Sequence, residues 1–224
     1  MKTSGIGGMI PRIKLAALTP IRAAGIVRPM PTTVSPPVVL RRWKRVEYER
    51  LVEMGVFRPG ERLELIDGLL VVREPQGVPH AAANRLVLAA LRRAFGEGWM
   101  IEAQFPVALD DDSEPEPDVC VVPGGPRDYL DAHPSRPVLI VEVAESSLRK
   151  DRAHKASLYA RAGITDFWIV NLVERVLEVH RDPQPAPAAL YDWSYRAVAI
   201  LRAPETNSPL AAPAASNAVS ELLP

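Results

Sequence analysis

The sequence predicts one mixed α/β domain in which helices flank a central sheet. Helical and strand patterns alternate along the chain in the order α β β α β β β α β β. Two strand patterns, DVCVV (118–122) and VLIVEV (138–143), are apolar on both faces, as interior strands covered by helices are. The 224 residues, 47% of them hydrophobic, are enough for a domain with a substantial core.

Each element follows from a local pattern in the sequence. Asp67-Gly68 lies between two apolar runs and predicts a tight β-hairpin. The proline-rich segment 182–189 predicts a loop. Helical spacing or strand-like apolar runs predict the remaining elements. These are helices over 44–54, 79–95 and 148–162, and strands over 100–109, 118–122, 138–143, 167–172, 175–180 and 193–201.

The first forty residues differ in composition from the rest of the chain. Residues 1–40 are rich in Pro, Gly, Ala and Thr, lack periodicity and carry five basic residues with no acid. They predict a disordered basic extension before a domain of residues 41–224. Because the net charge of the chain is zero, that domain carries −5. This charge argues against tight non-specific DNA binding through bulk electrostatics, although it leaves room for a local basic groove.

Cysteine content and hydropathy indicate where the protein works. Cys120 is the single cysteine, which excludes an internal disulfide and a cysteine-based metal site. No stretch approaches the ~18 consecutive apolar residues of a membrane span, so no membrane partner is expected. The sequence therefore predicts a cytoplasmic protein.

Two interior strand patterns each carry one acid. Asp118 opens the first of them, and Glu142 stands among valines, a leucine and an isoleucine in the second. A buried carboxylate must be protonated, paired or bound to a metal. Two such groups repel each other unless a hard cation such as Mg²⁺ lies between them. A turn cap for Asp118 and a buried ion pair for Glu142 remain alternatives.

The helix after Glu142 offers a third charged group. At 100° per residue, one stripe contains Leu148, Arg152, Lys155, Tyr159 and Ala162. Lys155 lies near the middle of this inward stripe, where its ammonium group could face the carboxylates. The alternative is that the side chain extends past the apolar stripe to solvent.

The strings EPEPDVCVV and VLIVEVAESSLRKDRAHKASLYARAGITDFWIVNL carry a family resemblance. They resemble the bacterial Uma-type family of restriction-endonuclease-like proteins, a branch of the PD-(D/E)xK nuclease superfamily. Flanking segments extend the resemblance over residues 41–224. It implies a restriction-endonuclease-like fold, Mg²⁺ as cofactor (Mn²⁺ as a substitute) and cleavage of nucleic acid, with DNA as the expected substrate.

The resemblance also assigns roles to residues. Asp118, Glu142 and the backbone carbonyl of Val143 are expected to hold the metal. The lysine of the (D/E)xK element is replaced by Ala144. A lysine supplied from the following helix is a variation within the superfamily, and Lys155 is expected to take that role.

Further residues are expected near this site. Glu64 matches an additional N-terminal acid of these nucleases and is expected to bind a second metal or to polarise Lys155, unless it is a solvent-facing strand residue. His80 and Gln104 are accessory candidates, and Arg149 and Arg152 are candidate phosphate contacts, although charged helix faces are usually only solvated.

Two other classes of function compete with this interpretation. One is a catalytically inactive module of the same fold that binds nucleic acid or a protein partner, which the replacement by Ala144 keeps open. The other is a glycosidase with a carboxylate pair, which predicts an aromatic-lined cleft. A homodimer is compatible with the sequence.

Overall fold

The computed structural model describes residues 40–73 and 75–224. The predicted disordered extension therefore lies, apart from Leu40, outside the described residues. None of the helices in these two ranges combines the length and the apolar content needed to cross a membrane. The helices are α1 (Arg45–Glu53), α2 (Val78–Phe95), α3 (Leu148–Lys150), α4 (Ala156–Arg161) and α5 (Val219–Leu222).

A six-stranded mixed sheet forms the centre of the fold, in the order β3-β4-β5-β6-β7-β8. Only β5 and β6 pair in parallel. Helices pack on this sheet, so the mixed α/β prediction is confirmed. The strands are β1 (Leu63–Ile66), β2 (Leu69–Val72), β3 (Trp99–Glu102), β4 (Val119–Pro123), β5 (Leu139–Ala144), β6 (Asp166–Asn171), β7 (Val176–Pro185), β8 (Trp193–Leu201), β9 (Thr206–Asn207) and β10 (Asn217–Ala218).

The two faces of the sheet are covered by different helices. Val141 and Val143 of β5 pack in the cluster that contains residues of α2. Ile140 and Ala144 of the same strand pack in the cluster that contains residues of α4. Because side chains alternate along a strand, Glu142 lies on the α4 face. The acid in the apolar run is thus directed toward the helix that was predicted to carry a lysine.

The Asp67-Gly68 hairpin forms as predicted and stands apart from the main sheet. It joins β1 to β2, which form a two-stranded sheet of their own, and Leu65 of β1 makes a further antiparallel bridge to Glu114. Asp67 has φ of 48° and Gly68 has φ of 77°. Two-residue hairpin turns whose twist matches that of the flanking strands require positive φ at both central residues. At Gly68 an added Cβ would meet the Cβ of Arg42 at 2.5 Å, which explains why glycine stands there.

Two strand boundaries differ from the prediction. The strand expected over 100–109 ends at Glu102, and Gln104 has a positive φ of 60° that breaks the extended run. The loop expected over 182–189 is a strand as far as Pro185, which pairs with Trp193. Strand β6 pairs with β7 only up to Arg181. Beyond that residue one edge of β7 has no ladder, so prolines are tolerated.

The predicted helix over 148–162 is not uniform. A π-helical turn, Asp151–Lys155, separates α3 from α4. This wider turn changes the angle between successive side chains, so the 100° helical wheel was wrong at its start. Arg152 was predicted to face inward but is exposed, and Asp151 is buried in its place. Lys155 and Tyr159 are buried, as predicted.

Candidate active site

The predicted carboxylates and lysine line one cleft. It encloses about 260 Å³ between the β1–β2 hairpin, the start of α2 and the π-helical turn. Acids outnumber bases in its lining, which creates a negative potential that favours a cation. The acids are Glu64, Glu116, Asp118, Glu142, Glu145 and Asp151, and the bases are Arg73, His80, Lys150 and Lys155.

Asp118 and Glu142 are held side by side through the backbone. Asp118 immediately precedes β4, and Glu142 lies within β5, the antiparallel neighbour of β4. The N–H of Val143 donates to Oδ2 of Asp118 at 2.9 Å, and the N–H of Asp118 donates to Oε2 of Glu142 at 3.4 Å. Both acids are buried. Strand pairing thus brings together two acids that are 24 residues apart in sequence.

Three side chains surround the carboxylate of Asp118. Gln76 Nε2 donates to Oδ1 at 3.0 Å, and Arg73 Nη2 lies 3.5 Å from the same oxygen. His80 Nε2 lies 3.0 Å from Oδ2. Burial lowers the pKa of His80, but the hydrogen bond to Asp118 and its charge outweigh burial and raise this pKa. His80 therefore lies at the site, in direct contact with the carboxylate of Asp118.

Glu142 is bound by two side chains of the helix that follows it. The hydroxyl of Tyr159 donates to Oε1 at 2.6 Å, and Lys155 Nζ lies 3.4 Å from the same oxygen. Burial raises the pKa of Glu142, Lys155 opposes this effect, and the charge of Asp118 adds to it. Burial also raises the pKa of Tyr159, which keeps its hydroxyl a donor. Burial, together with the charge of Asp118, therefore makes the ionised Glu142 costly unless a cation joins the pair.

Glu64 is paired with two lysines. Lys155 Nζ donates to Oε2 at 2.6 Å, and Lys150 Nζ donates to Oε1 at 2.9 Å. Burial raises the pKa of Glu64, but the two ammonium groups outweigh burial and hold it at about 2. Glu64 is 1% exposed and Lys155 is 3% exposed. A solvent-facing Glu64 and a lysine that extends to solvent are both excluded by this burial.

Lys155 remains protonated in this environment. Burial lowers its pKa, but the carboxylates of Glu142 and Glu64 outweigh that effect and raise it above the ordinary value. A protonated ammonium group can donate hydrogen bonds and neutralise charge, but it cannot accept a proton. Lys155 is therefore suited to electrostatic stabilisation rather than to general-base chemistry.

Asp151 is a residue of this cleft that sequence reasoning missed. It is 4% exposed, and the Ser147 hydroxyl donates to its Oδ2 at 2.6 Å. Burial and the charge of Glu142 raise the pKa of Asp151 to about 7. On a wheel at 100° per residue, Asp151 lies about 40° from Lys155 and so on the same inward side, but it was not predicted as a site residue.

Three predicted residues lie further from the carboxylates. Gln104 reaches them only through Gln76, to whose Oε1 it donates at 2.7 Å. Arg152 makes two hydrogen bonds to Glu178, at 3.0 and 2.7 Å, and a third contact to Glu174. Arg149 is exposed and does not line the cleft. The structure therefore leaves Arg149 open to a ligand and engages Arg152 within the protein.

The chain is similar to known proteins in sequence and in fold. The "Putative restriction endonuclease" family model, Uma2, matches residues 45–219. None of the curated proteins compared with the chain matches it. One similar solved structure is a "putative nuclease belonging to DUF820" from Anabaena variabilis, with 15% identity, a TM-score of 0.55 and coverage of 77% of this chain and 96% of that chain. At that identity the likeness shows the fold alone. Since the family model matches well over half of the sequence, the chain belongs to the Uma2 family.

Proposed function

We propose that this protein is a metal-dependent nuclease that hydrolyses phosphodiester bonds, with DNA as its substrate. One observation carries the proposal: Asp118, Glu142 and a buried, protonated Lys155 meet in one cleft. Membership of the Uma2 family supports the same activity. Each of these placements is costly in isolation, and phosphodiester hydrolysis makes use of all three.

The residues of the cleft fit a hard divalent cation. Asp118 and Glu142 supply oxygen ligands, and burial raises the pKa of Glu142, an effect to which the charge of Asp118 adds. Within the described ranges no group of three or more His, Cys, Asp and Glu side chains is arranged as a metal site. Mg²⁺ suits such a site because it commonly binds one or two carboxylates and keeps several waters. Asp118, Glu142 and the carbonyl of Val143 would hold the ion, with Mn²⁺ as a substitute.

The ion and the protein have separate tasks in this mechanism. When bound, the ion supplies Lewis-acid polarisation of the phosphate and lowers the pKa of water. Lys155 places a fixed positive charge beside the reacting phosphate, where negative charge increases in the transition state. Tyr159 holds Glu142 through its hydrogen bond, and His80 holds Asp118.

Glu64 is best explained as the residue that positions Lys155. Its two carboxylate oxygens each accept a hydrogen bond from a lysine. These contacts favour the second of its two predicted roles, polarising Lys155, over binding a second metal. With Glu64 on one side and Glu142 on the other, the Lys155 ammonium group is fixed between two carboxylates. This fixed geometry limits the reorganisation needed during reaction.

Cleavage assays with point variants test the proposal. Supercoiled plasmid and single-stranded DNA are incubated with Mg²⁺, Mn²⁺ or EDTA and with wild type, Asp118→Asn, Glu142→Gln and Lys155→Met. We expect cleavage only with metal and only by wild type and by Glu97→Gln, a control variant at an exposed acid. Equal cleavage by Asp118→Asn and Glu142→Gln would remove the site assignment. Binding of DNA without cleavage, unaffected by Glu142→Gln and by EDTA, would support the inactive binding module instead.

A further inference from the structure

A second depression lies beside α1 and is called here the α1 groove. It encloses about 450 Å³ between α1, residues from the 106–116 segment and the 129–133 segment. Of the residues that line the active-site cleft, it shares only Glu116. Its walls combine acids with exposed apolar side chains. The acids include Glu49 and Glu114, and the apolar side chains include Val52 and Leu130.

The α1 groove is acidic. Among the described residues that line it, five are acids and two, Arg45 and His133, are bases. Arg45 is already engaged, because it pairs with Glu49 and donates through Nε to the backbone oxygen of Asp110 at 3.1 Å. The groove therefore attracts a cationic ligand. The acids are Glu49, Glu53, Glu114, Glu116 and Asp131.

Glu114 presents an unpaired acceptor in this groove. Two backbone hydrogen bonds with Leu65, at 2.8 and 3.3 Å, fix the backbone of Glu114. Glu114 as a whole is only 4% exposed. Its Oε2 is buried without a hydrogen-bond partner in the described part of the chain, and Arg45 Nη1 is 4.0 Å away from it. A buried acceptor without a donor is unfavourable, so a ligand that donates a hydrogen bond to it would be favoured.

Glu114 and its neighbour Glu49 share a single counter-charge, that of Arg45, which pairs with Glu49 and lies 4.0 Å from Oε2 of Glu114. Burial raises the pKa of Glu114 to about 8, and a hydrogen bond with Glu49 adds to this effect. Two carboxyl groups that share a hydrogen bond must retain a proton between them. A cationic ligand could replace that proton and pair with both groups. Without a ligand, the carboxyl groups of Glu49 and Glu114 therefore lack one of the positive charges that they could bind.

The acceptors and the apolar rim of the groove favour a guanidinium group over other cations. The unpaired Oε2 of Glu114 calls for a hydrogen-bond donor, which a metal ion lacks and a guanidinium or ammonium group has. A guanidinium group carries five donors in a planar fork and pairs with two oxygens at once. Val52 and Leu130 are 51% and 75% exposed at the rim, where an apolar residue beside an arginine can pack.

We propose that the α1 groove binds an arginine side chain of a partner polypeptide, received by Glu114 and Glu49, with an adjacent apolar residue of the partner packed on Val52 and Leu130. The partner is thus a protein segment with an arginine between apolar residues. This interaction is independent of the proposed nuclease activity, because it uses neither Asp118 nor Glu142.

Peptide titration of the full-length protein tests the proposal. The probe is acetyl-Leu-Arg-Leu-amide, and the matched control contains citrulline, which has nearly the same shape without the charge. Binding is followed by amide chemical shifts of ¹⁵N-labelled protein. We expect shifts around α1, Glu114 and residues 129–133, with affinity at least tenfold lower for the citrulline peptide. Glu114→Gln and, separately, Leu130→Ser are each expected to weaken binding by tenfold or more, whereas Glu97→Gln is expected to leave it unchanged.

Three results would overturn the proposal. One is the absence of any arginine-dependent shift at millimolar peptide. Another is equal affinity of wild type and Glu114→Gln, which keeps the side-chain shape and should fold because Glu114 already holds a proton at neutral pH. The third is a set of shifts confined to the active-site cleft, which is also acidic. Since none of these measurements uses DNA, a failed cleavage assay leaves the outcome unaffected.

Discussion

Replacing Glu64 tests the network that fixes Lys155. Glu64→Gln keeps the shape of the side chain and removes the charge that both lysines contact. In the folded protein the pKa of Glu64 is about 2, against an ordinary value of 4.5. Each tenfold change in proton affinity corresponds to about 1.4 kcal/mol, so the ionised Glu64 stabilises the fold by about 3 kcal/mol at neutral pH.

The sign of this effect sets its pH window. Because the folded-state pKa of Glu64 is depressed, its contribution is complete above the unfolded pKa of 4.5 and is lost as pH falls toward about 2. We expect the free energy of unfolding of Glu64→Gln to be about 3 kcal/mol lower than that of wild type at pH 7. Near pH 2.5 we expect a difference of only about 1 kcal/mol.

Urea unfolding followed by circular dichroism at several pH values measures this difference. The control is Glu97→Gln, since Glu97 is exposed and should change stability by less than about 0.5 kcal/mol at any pH. A difference between wild type and Glu64→Gln that stays constant from pH 7 to pH 2.5 would refute the electrostatic reasoning. It would mean that Glu64 stabilises the fold through packing instead.

Three further predictions concern other residues of the site. Glu142→Gln should abolish the rise in melting temperature caused by Mn²⁺. Without metal, its stability at pH 7 should be equal to or higher than that of wild type, because burial disfavours the ionised acid. Thermal scans with and without Mn²⁺ measure both effects. The free energy of unfolding of Asp151→Asn, relative to that of wild type, should rise by about 3 kcal/mol between pH 5 and pH 8. Urea unfolding in EDTA measures this rise. The pKa of Asp151 is raised to about 7, so ionisation lowers the stability of wild type as pH rises; a pH-independent difference would contradict this. Arg152→Ala should lower stability by about 2 kcal/mol, because it leaves the buried Glu178 without its two hydrogen bonds from Arg152. If it instead lowered DNA affinity without changing stability, Arg152 would be a phosphate contact.

Much of the fold could be predicted because the relevant patterns are local. The Asp67-Gly68 hairpin requires two positive φ values that this dipeptide supplies, and β5 is fully buried as its apolar run indicated. An acid inside such a run must be compensated by something, so Glu142 could be singled out without a structure. Lys155 was found because it lies four positions before Tyr159, at the end of the π-helical turn that leads directly into the regular helix α4.

The composition of the site was decided by tertiary structure. Glu64 and Lys155 are 91 residues apart, and no periodicity encodes their contact. His80 meets Asp118 only because α2 packs against the sheet that contains β4. Asp151 lies about 40° from Lys155 on a regular helical wheel, but its contact with Ser147 and its closeness to Glu142 are seen only in the folded chain. Local sequence sets which residues must be buried, because burial follows hydrophobic periodicity. Which buried charges meet depends on strand pairing and helix packing between distant segments, and only the folded chain fixes those.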